Sequence, residues 1–319
     1  MNASAERLAN VNGKIVPLDQ ATVHVLSPAV KYASAVFEGI RGYWSAKEND
    51  LYVFRLDEHI ERLFASMKVM RFALEVSPDT IRNWILETIR ANGHRETVHI
   101  RILAYVDGRG EQGAAGPISF AVTTAVAPRS QKFETGIRLG VSSWVRISDR
   151  VMPPRVKCVA NYNNGRLATM EVKMHGYDNA LFLTESGKVA ETPGSCFFMI
   201  KGNRLITPSP DQDILESITR DTVIAVAREN GLLEVVERPV DRSECYLADE
   251  AFVCGSNQEI LPVVGIDGLK IGEGKPGKHT KNLQDSYIEV VEGRRRSRSA
   301  WCISVYAHER RTSESKVHA

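Results

Sequence analysis

The sequence lacks the features that mark several classes of protein. Its five cysteines are scattered and form no Cys-x-x-Cys pair, which argues against a disulfide framework and a zinc site. Lysine and arginine total 41 against 39 acidic residues, and a net charge of +2 is too small for an extended nucleic-acid surface. No run approaches the roughly 20 apolar residues that span a bilayer. Residues 1–17 have no signal-peptide pattern, so we expect a cytoplasmic protein that binds neither membrane nor nucleic acid, and no metal.

The length and patterning of the chain favour two domains. A chain of 319 residues exceeds the usual size of one domain. Residues 1–126 carry the order strand, helix, helix, strand, strand, which predicts a small α/β domain. Residues 127–136 are rich in turn formers, so we place the interdomain linker there. Residues 137–319 are predicted to form a larger, barrel-like β domain with helices, which makes the fold class α+β.

Local signals predict the bounds of several elements. Strands are expected over residues 22–26 and 51–56, and a helix should begin at Asp57. The pair Ser77-Pro78 predicts the start of a second helix, with serine as N-cap and proline in the first turn. Helices over residues 161–175 and 218–230 should each end at a glycine.

A glycine-rich segment, residues 108–113, imitates a dinucleotide-binding fingerprint. It reads Gly-Arg-Gly-Glu-Gln-Gly and follows a predicted strand. The fingerprint must open a helix that receives the pyrophosphate, whereas here Gly116-Pro117 leads into another strand. We therefore interpret it as a mobile loop.

The segment MPPRVKCVANY, residues 152–162, is the most informative part of the chain. It places Lys157 just before a helix and Tyr162 five residues later, and Glu191 follows after a strand. An amine, a phenol and a carboxylate are the groups that hold a pyridoxal ring by its aldehyde, its hydroxyl and its nitrogen. Taken singly, Lys157 and Glu191 could also be ordinary surface residues.

Phosphate ligands can be proposed from three further places. Ile218 and Thr219 open a helix, where backbone N–H groups and the helix dipole favour an anion. Arg55 ends an apolar strand, and Ser256 lies in a Gly-Ser-Asn turn after another strand. A plain N-cap at Ser217 and a surface ion pair at Arg55 are the alternatives for two of these places.

Several motifs together resemble one enzyme family. They are YASAVFEGIR from Tyr32, FRLDEH from Phe54, VSSW from Val141, the segment from Lys157 to Tyr162, Glu191-x-x-Gly194, ITRD from Ile218 and YLADEAF from Tyr246. In order and spacing they resemble the class IV aminotransferases, which are pyridoxal 5'-phosphate (PLP) enzymes of fold type IV. The match is most similar to the branched-chain amino acid aminotransferases and covers residues 14–306.

The resemblance implies a role for each matching residue. Lys157 would bind PLP covalently and act as the catalytic lysine, Tyr162 would contact the ring hydroxyl, and Glu191 the pyridine nitrogen. The phosphate would be bound by Arg55, Ile218, Thr219 and Ser256. Substrate would be contacted by Tyr32, Phe37, Gly39, Arg41, His99, Arg101 and Asn257. In the family Tyr32 reaches the neighbouring subunit's site, so a homodimer or higher homo-oligomer is implied.

The implied reaction is a ping-pong transamination between an aliphatic branched-chain L-amino acid and a 2-oxo acid such as 2-oxoglutarate. Two departures bear on the substrate, because His99 replaces the tyrosine of a Tyr-x-Arg motif and Asn257 replaces a small residue. A D-amino acid or (R)-amine transaminase and an aminodeoxychorismate lyase share the fold and stay open as alternatives. A non-catalytic protein of this fold is disfavoured by its full set of cofactor-facing residues.

Overall fold

A computed structural model describes residues 7–306 of the chain. They divide into two compact units, which are described separately. The first unit contains residues 7–128, the short segment Cys158–Ala160 and residues 289–306. The second unit contains Arg129–Lys157 and Asn161–Ile288.

Both units mix helices and strands. In chain order, the strands are β1 (Leu8–Val11), β2 (Lys14–Pro17), β3 (Ala35–Ser45), β4 (Asp50–Phe54), β5 (Val98–Val106), β6 (Ile118–Val126), β7 (Ile137–Val141), β8 (Asn179–Leu181), β9 (Glu191–Thr192), β10 (Ser195–Lys201), β11 (Arg204–Thr207), β12 (Glu234–Glu237), β13 (Glu250–Gly255), β14 (Glu259–Ile266), β15 (Leu269–Lys270) and β16 (Cys302–Ser304). The α-helices are α1 (Pro28–Tyr32), α2 (Leu56–Val69), α3 (Pro78–Ala91), α4 (Tyr162–Met174), α5 (Ile218–Asn230), α6 (Arg242–Tyr246) and α7 (Lys278–Val291). The predicted α+β fold class is confirmed.

The first unit is built on one sheet with the strand order β16-β4-β3-β5-β6-β1-β2. The long strands β3, β5 and β6 are antiparallel neighbours in this sheet. Helix α2 packs on β3 and buries Ile60, Leu63 and Met67, which recur at helical spacing. Ser77 accepts a hydrogen bond from the backbone N–H of Thr80, so the predicted N-cap of α3 is confirmed.

The first unit also includes the last described part of the chain. Strand β16 pairs with β4, and buried Asp50 accepts hydrogen bonds from Ser304 Oγ and from the Tyr306 N–H at 2.6 and 2.9 Å. The sequence analysis assigned everything after residue 136 to the large domain. The pairing of β16 with β4 could not be predicted from the sequence, because it joins residues that are far apart along the chain.

The second unit is built on a sheet with the order β12-β11-β10-β13-β14-β7-β8, and β15 and β9 pair with β14 and β10. The central strands β10, β13 and β14 are almost wholly buried. Phe198 and Phe252 stack at the centre with ring centroids 4.9 Å apart. Helix α5 has the predicted bounds, and Gly231 at its end adopts a φ of 63°, which glycine tolerates without steric cost.

One predicted strand, over residues 22–26, is wrong. The chain turns there, since the Ser27 N–H donates to the His24 carbonyl and the Leu26 N–H to His24 Nδ1. Val25 in this segment is 71% exposed, so its apolar side chain does not reflect a buried strand face. Among the helices between residues 7 and 306, none has the length and apolar composition to cross a membrane.

Candidate active site

The loop before α4 presents Lys157 beside Tyr162. Asn161 Nδ2 donates to the carbonyls of Pro153 and Val156 at 3.1 and 3.0 Å, which fixes the turn before the lysine. Lys157 Nζ donates to Tyr162 Oη at 2.8 Å. The amine and the phenol that the sequence paired are therefore in direct contact.

Glu191 lies in β9 and is only 4% exposed. Its Oε1 accepts hydrogen bonds from the Leu215 N–H at 3.2 Å and from Arg146 Nη2 at 2.7 Å. Burial raises the pKa of the Glu191 carboxyl, and Arg146, Leu215 and Lys157 oppose that rise. The sequence-predicted carboxylate is thus a buried acid near Lys157.

Glycines allow three segments of the second unit to meet at the turn after Glu191. A Cβ on Gly165 of α4 would lie 2.9 Å from Pro193 Cβ, so the helix that begins at Tyr162 approaches this turn closely. A Cβ on Gly255 would lie 2.9 Å from the Gly194 carbonyl oxygen, so the end of β13 does the same. Larger residues at either position would separate the three segments.

The start of α5 and the turn after β13 carry the predicted phosphate ligands of the second unit. Ser217 caps α5 by accepting from the Arg220 N–H, and Ile218 and Thr219 form the buried first turn. The N–H groups of a first turn are not used by carbonyls within the helix. Ser256 is half-buried and Asn257 exposed in the turn that follows β13. The structure thus places both segments in the unit that contains Lys157, Tyr162 and Glu191.

The remaining predicted substrate residues, apart from Tyr32, share one face of the sheet in the first unit. Phe37, Gly39 and Arg41 alternate along β3, and their side of the sheet is shared by the directly opposed residues of β5. Gly39 pairs with Arg101 and Arg41 with His99. The structure therefore brings these five residues together on one face of the sheet.

The two arginines of this face differ in exposure. Arg101 is an exposed residue, and its guanidinium lies 4.8 Å from the ring centroid of Phe37. Arg41 is 2% exposed and donates to the Ala127 carbonyl oxygen at 2.7 Å. Arg101 is therefore the more accessible cation of the two for a substrate carboxylate.

Arg55 is held at the start of α2. Its Nε donates to Glu58 Oε1 at 2.7 Å, and its guanidinium lies 4.4 Å from the centroid of the Trp301 ring. Its backbone N–H donates to the Trp301 carbonyl, and its φ of 48° is unusual for a residue with a side chain. The ion pair that the sequence allowed for Arg55 is present.

Tyr32 lies beside the glycine-rich loop. Its hydroxyl donates to Glu111 Oε2 at 3.2 Å, and Lys31 Nζ contacts the same carboxylate at 3.4 Å. Residues 108–116 form turns between β5 and β6 and no helix, so the dinucleotide fingerprint is excluded.

Arg146, Trp301 and Glu111 contact predicted site residues through their side chains and were not singled out from the sequence. Arg146 lies two residues after the VSSW motif, and an arginine this close to a family motif was a usable signal. Trp301 and Glu111 gave no comparable signal, because their contacts depend on pairing between segments far apart in sequence.

The donor set of the second unit fits PLP. It combines a lysine amine, a phenol, a buried carboxylate and the hydroxyl of Thr219 at a capped helix start. These are groups that suit an aldehyde, a ring hydroxyl, a pyridine nitrogen and a phosphate. No group of three or more His, Cys, Asp and Glu side chains in residues 7–306 is arranged to hold a metal ion.

Comparisons with known proteins identify the family. Residues 35–266 match the family model described as Amino-transferase class IV. A probable branched-chain-amino-acid aminotransferase of Aquifex aeolicus is 39% identical, over 92% of this chain and 95% of the relative. The PLP form of the branched-chain amino acid aminotransferase from Thermobaculum terrenum has a TM-score of 0.89 and 44% identity, covering 94% of this chain and 98% of that one.

A third comparison carries a bound molecule. The T.th. branched-chain amino acid aminotransferase complexed with N-(5'-phosphopyridoxyl)-L-glutamate has a TM-score of 0.88 and 36% identity, covering 94% of this chain and 99% of that one. The family model spans most of the chain, and the relatives are matched over nearly their whole length. The chain therefore belongs to the class IV aminotransferases, a family of PLP-dependent enzymes.

Proposed function

We propose that this enzyme transfers the amino group of an aliphatic branched-chain L-amino acid to 2-oxoglutarate in a ping-pong reaction. The observation that carries the proposal is the contact of Lys157 with Tyr162. The buried Glu191 lies in the same unit, and the charge of Lys157 lowers the pKa of its carboxyl. The substrate class is supported by the branched-chain names of the relatives. The L-glutamate portion of the ligand in the T.th. enzyme supports the acceptor.

Each residue of the second unit has a defined task in this proposal. PLP, when bound, supplies an electron sink that stabilises negative charge at the substrate Cα. Lys157 would hold the cofactor through its amine, and once the substrate amino group takes its place, the freed Nζ would accept the proton from the substrate Cα; Tyr162 orients Nζ through the 2.8 Å hydrogen bond. Glu191 accepts a hydrogen bond from the ring nitrogen. Ile218, Thr219 and Ser256 would bind the phosphate, and Asn257, which follows Ser256 in the same turn, would contact substrate.

The roles expected of the first unit stay predictions. Arg55 is expected to bind the phosphate, and Tyr32, Phe37, Gly39, Arg41, His99 and Arg101 to bind substrate. Within this group the exposure of Arg101 favours it as the ligand for the distal carboxylate of 2-oxoglutarate, because a guanidinium binds a carboxylate bidentately.

A panel of donors and acceptors tests the proposal. We expect L-leucine, L-valine and L-isoleucine to be donors with 2-oxoglutarate, with formation of L-glutamate. Activity confined to D-alanine or an (R)-arylamine would overturn the assignment. Release of pyruvate from aminodeoxychorismate without an acceptor would overturn it equally.

We further propose a homodimer. Leu167, Met170 and Met174 form an exposed apolar row on α4, and Met174 is 84% exposed. Trp144 and Val145, also in the second unit, are about half exposed. Apolar side chains grouped in this way are typical of a subunit interface. Sedimentation should give twice the mass of the 35.5 kDa chain, and a monomer at micromolar concentration would contradict the proposal.

We also propose that the enzyme acts in the cytoplasm. All five cysteines are free thiols, which suits a reducing compartment. Fractionation of the source cells should place the transaminase activity in the cytosolic fraction, and recovery with the envelope would contradict this.

A further inference from the structure

Arg146 is a buried arginine that the sequence analysis did not assign. It lies in the segment after β7, and its side chain is 8% exposed. Its Nη2 lies 2.7 Å from Glu191 Oε1. A buried guanidinium is costly unless its charge is compensated, so this contact is more than a surface ion pair.

The position of Arg146 is fixed from several directions. Its backbone N–H donates to the Leu183 carbonyl at 2.8 Å, and its Nε donates to the Asp213 carbonyl at 3.3 Å. Its guanidinium lies 5.8 Å from the centroid of the Phe182 ring. The two carbonyl acceptors are neutral, so the charge of Arg146 is compensated by Glu191 at hydrogen-bond distance and, through a longer-range interaction, by the Asp213 carboxylate.

The two oxygens of Glu191 are used differently. Oε1 accepts hydrogen bonds from Arg146 Nη2 and from the Leu215 N–H. Oε2 lies 3.9 Å from Cys196 Sγ, a weak and distant donor. Two donors on Oε1 restrict the direction in which the carboxylate points, whereas the only donor on Oε2 among the described residues is the weak thiol.

We infer that Arg146 is a positioning residue for the reaction, which fixes Glu191 through Oε1 and leaves Oε2 to accept from the ring nitrogen of PLP. The inference rests on the proposed function of Glu191. In this role Arg146 acts through the Glu191 carboxylate.

The positive charge of Arg146 also supports its role as a positioning residue for Glu191. Burial raises the pKa of Glu191, and the Arg146 guanidinium opposes this rise. The other ionisable groups that act on Glu191 are Lys157, which also lowers its pKa, and the thiol of Cys196. Asp213 faces Arg146 and interacts with its charge. Removal of Arg146 should therefore raise the pKa of Glu191 further and shift the acid limb of activity to higher pH.

Three variants test the inference. Arg146→Met removes the charge at similar volume, Arg146→Lys keeps it, and Arg204→Met removes an exposed arginine of the same unit as a control. We expect Arg146→Met to bind PLP about tenfold more weakly and to lose about tenfold to a hundredfold in kcat, the range for a lost charged hydrogen bond. The acid limb of kcat should move to higher pH, and Arg146→Lys should recover most of each loss. Arg204→Met should match the wild type.

A double variant separates positioning from simple structural support. If Arg146 acts through Glu191, adding Arg146→Met to Glu191→Gln should change kcat and PLP affinity little beyond Glu191→Gln alone. This double variant also leaves no unpaired buried charge, so it can be measured even if Arg146→Met alone does not fold. Additive losses, or an acid limb of kcat that stays at its wild-type pH in Arg146→Met, would overturn the inference.

Measurements on the wild type and on Glu191→Gln separate a failure of the proposed function from a failure of the role assigned to Arg146. Absence of PLP-dependent transamination in the wild type, or a Glu191→Gln variant with unchanged kcat and PLP affinity, would refute the proposed function. An active wild type with an impaired Glu191→Gln variant and additive losses would refute the role of Arg146 alone.

Discussion

Replacement of Glu38 by glutamine should destabilise the first unit strongly. Glu38 lies on β3, on the face opposite Phe37 and Gly39, and its side chain is 0% exposed. Its carboxylate accepts from Arg62 Nε and Nη2 at 2.7 and 2.8 Å, and His59 Nδ1 lies 2.7 Å away. The glutamine would remove the charge that pairs with the Arg62 guanidinium, whose side chain is 14% exposed.

The size of the effect follows from this burial. Loss of one partner from a buried ion pair costs about 3–5 kcal/mol. For a unit of this size, that corresponds to a fall of roughly 10 °C in Tm. Because β3 carries three predicted substrate residues on its other face, we also expect a higher KM for 2-oxoglutarate. Thermal and urea unfolding of Glu38→Gln measure the first effect, and Glu61→Gln, an exposed change on α2, is the control.

The pH dependence of the unfolding free energy tests the role of the Glu38 charge more sharply. Burial alone would raise the pKa of Glu38, but Arg62 and His59 outweigh it and hold the pKa well below its ordinary value. A lowered pKa contributes stability above the unfolded pKa of about 4.3, and this contribution is lost as the pH falls below it. The gap in unfolding free energy between wild type and Glu38→Gln should therefore be full at pH 7 and narrow below about pH 4. A gap under about 1 kcal/mol at pH 7, or one that widens in acid, would refute the reasoning.

Three further changes have expected outcomes. Tyr162→Phe removes the hydroxyl 2.8 Å from Lys157 Nζ and should lower kcat at saturating substrate about tenfold or more, whereas an unchanged kcat would contradict the assigned contact. Phe252→Ala breaks the buried stack with Phe198 and should cost about 3–5 kcal/mol in urea unfolding, so a loss under about 1 kcal/mol would argue against that core. Ser217→Ala removes the N-cap of α5 and should cost about 1 kcal/mol, and no loss in the same assay would show that the cap is not needed.

Elements with strong local signals could be predicted from the sequence. The bounds of α5 were predicted because Ser217 and Gly231 mark its ends and its apolar residues recur at helical spacing. The start of α3 followed from Ser77-Pro78 in the same way. Both signals lie within a few residues of the feature that they define.

Features set by distant contacts could not be predicted from local patterns. The pairing of β16 with β4 depends on Asp50 and on residues near position 304, which no periodic pattern connects. The segment 22–26 has the composition of a strand, but its turn at His24 leaves it exposed. The contact of Arg146 with Glu191 likewise needed the fold, because neither residue indicates the other in the sequence.

The central claim is that Lys157 binds PLP covalently. Borohydride reduction of the PLP-loaded protein fixes the cofactor to the lysine that holds it, and peptide mass spectrometry then locates the modified residue. We expect the label on the peptide that contains Lys157, its absence in Lys157→Ala, and normal labelling in Lys173→Ala, an exposed lysine of α4. A label on a different lysine, or a labelled Lys157→Ala variant with full activity, would contradict the claim.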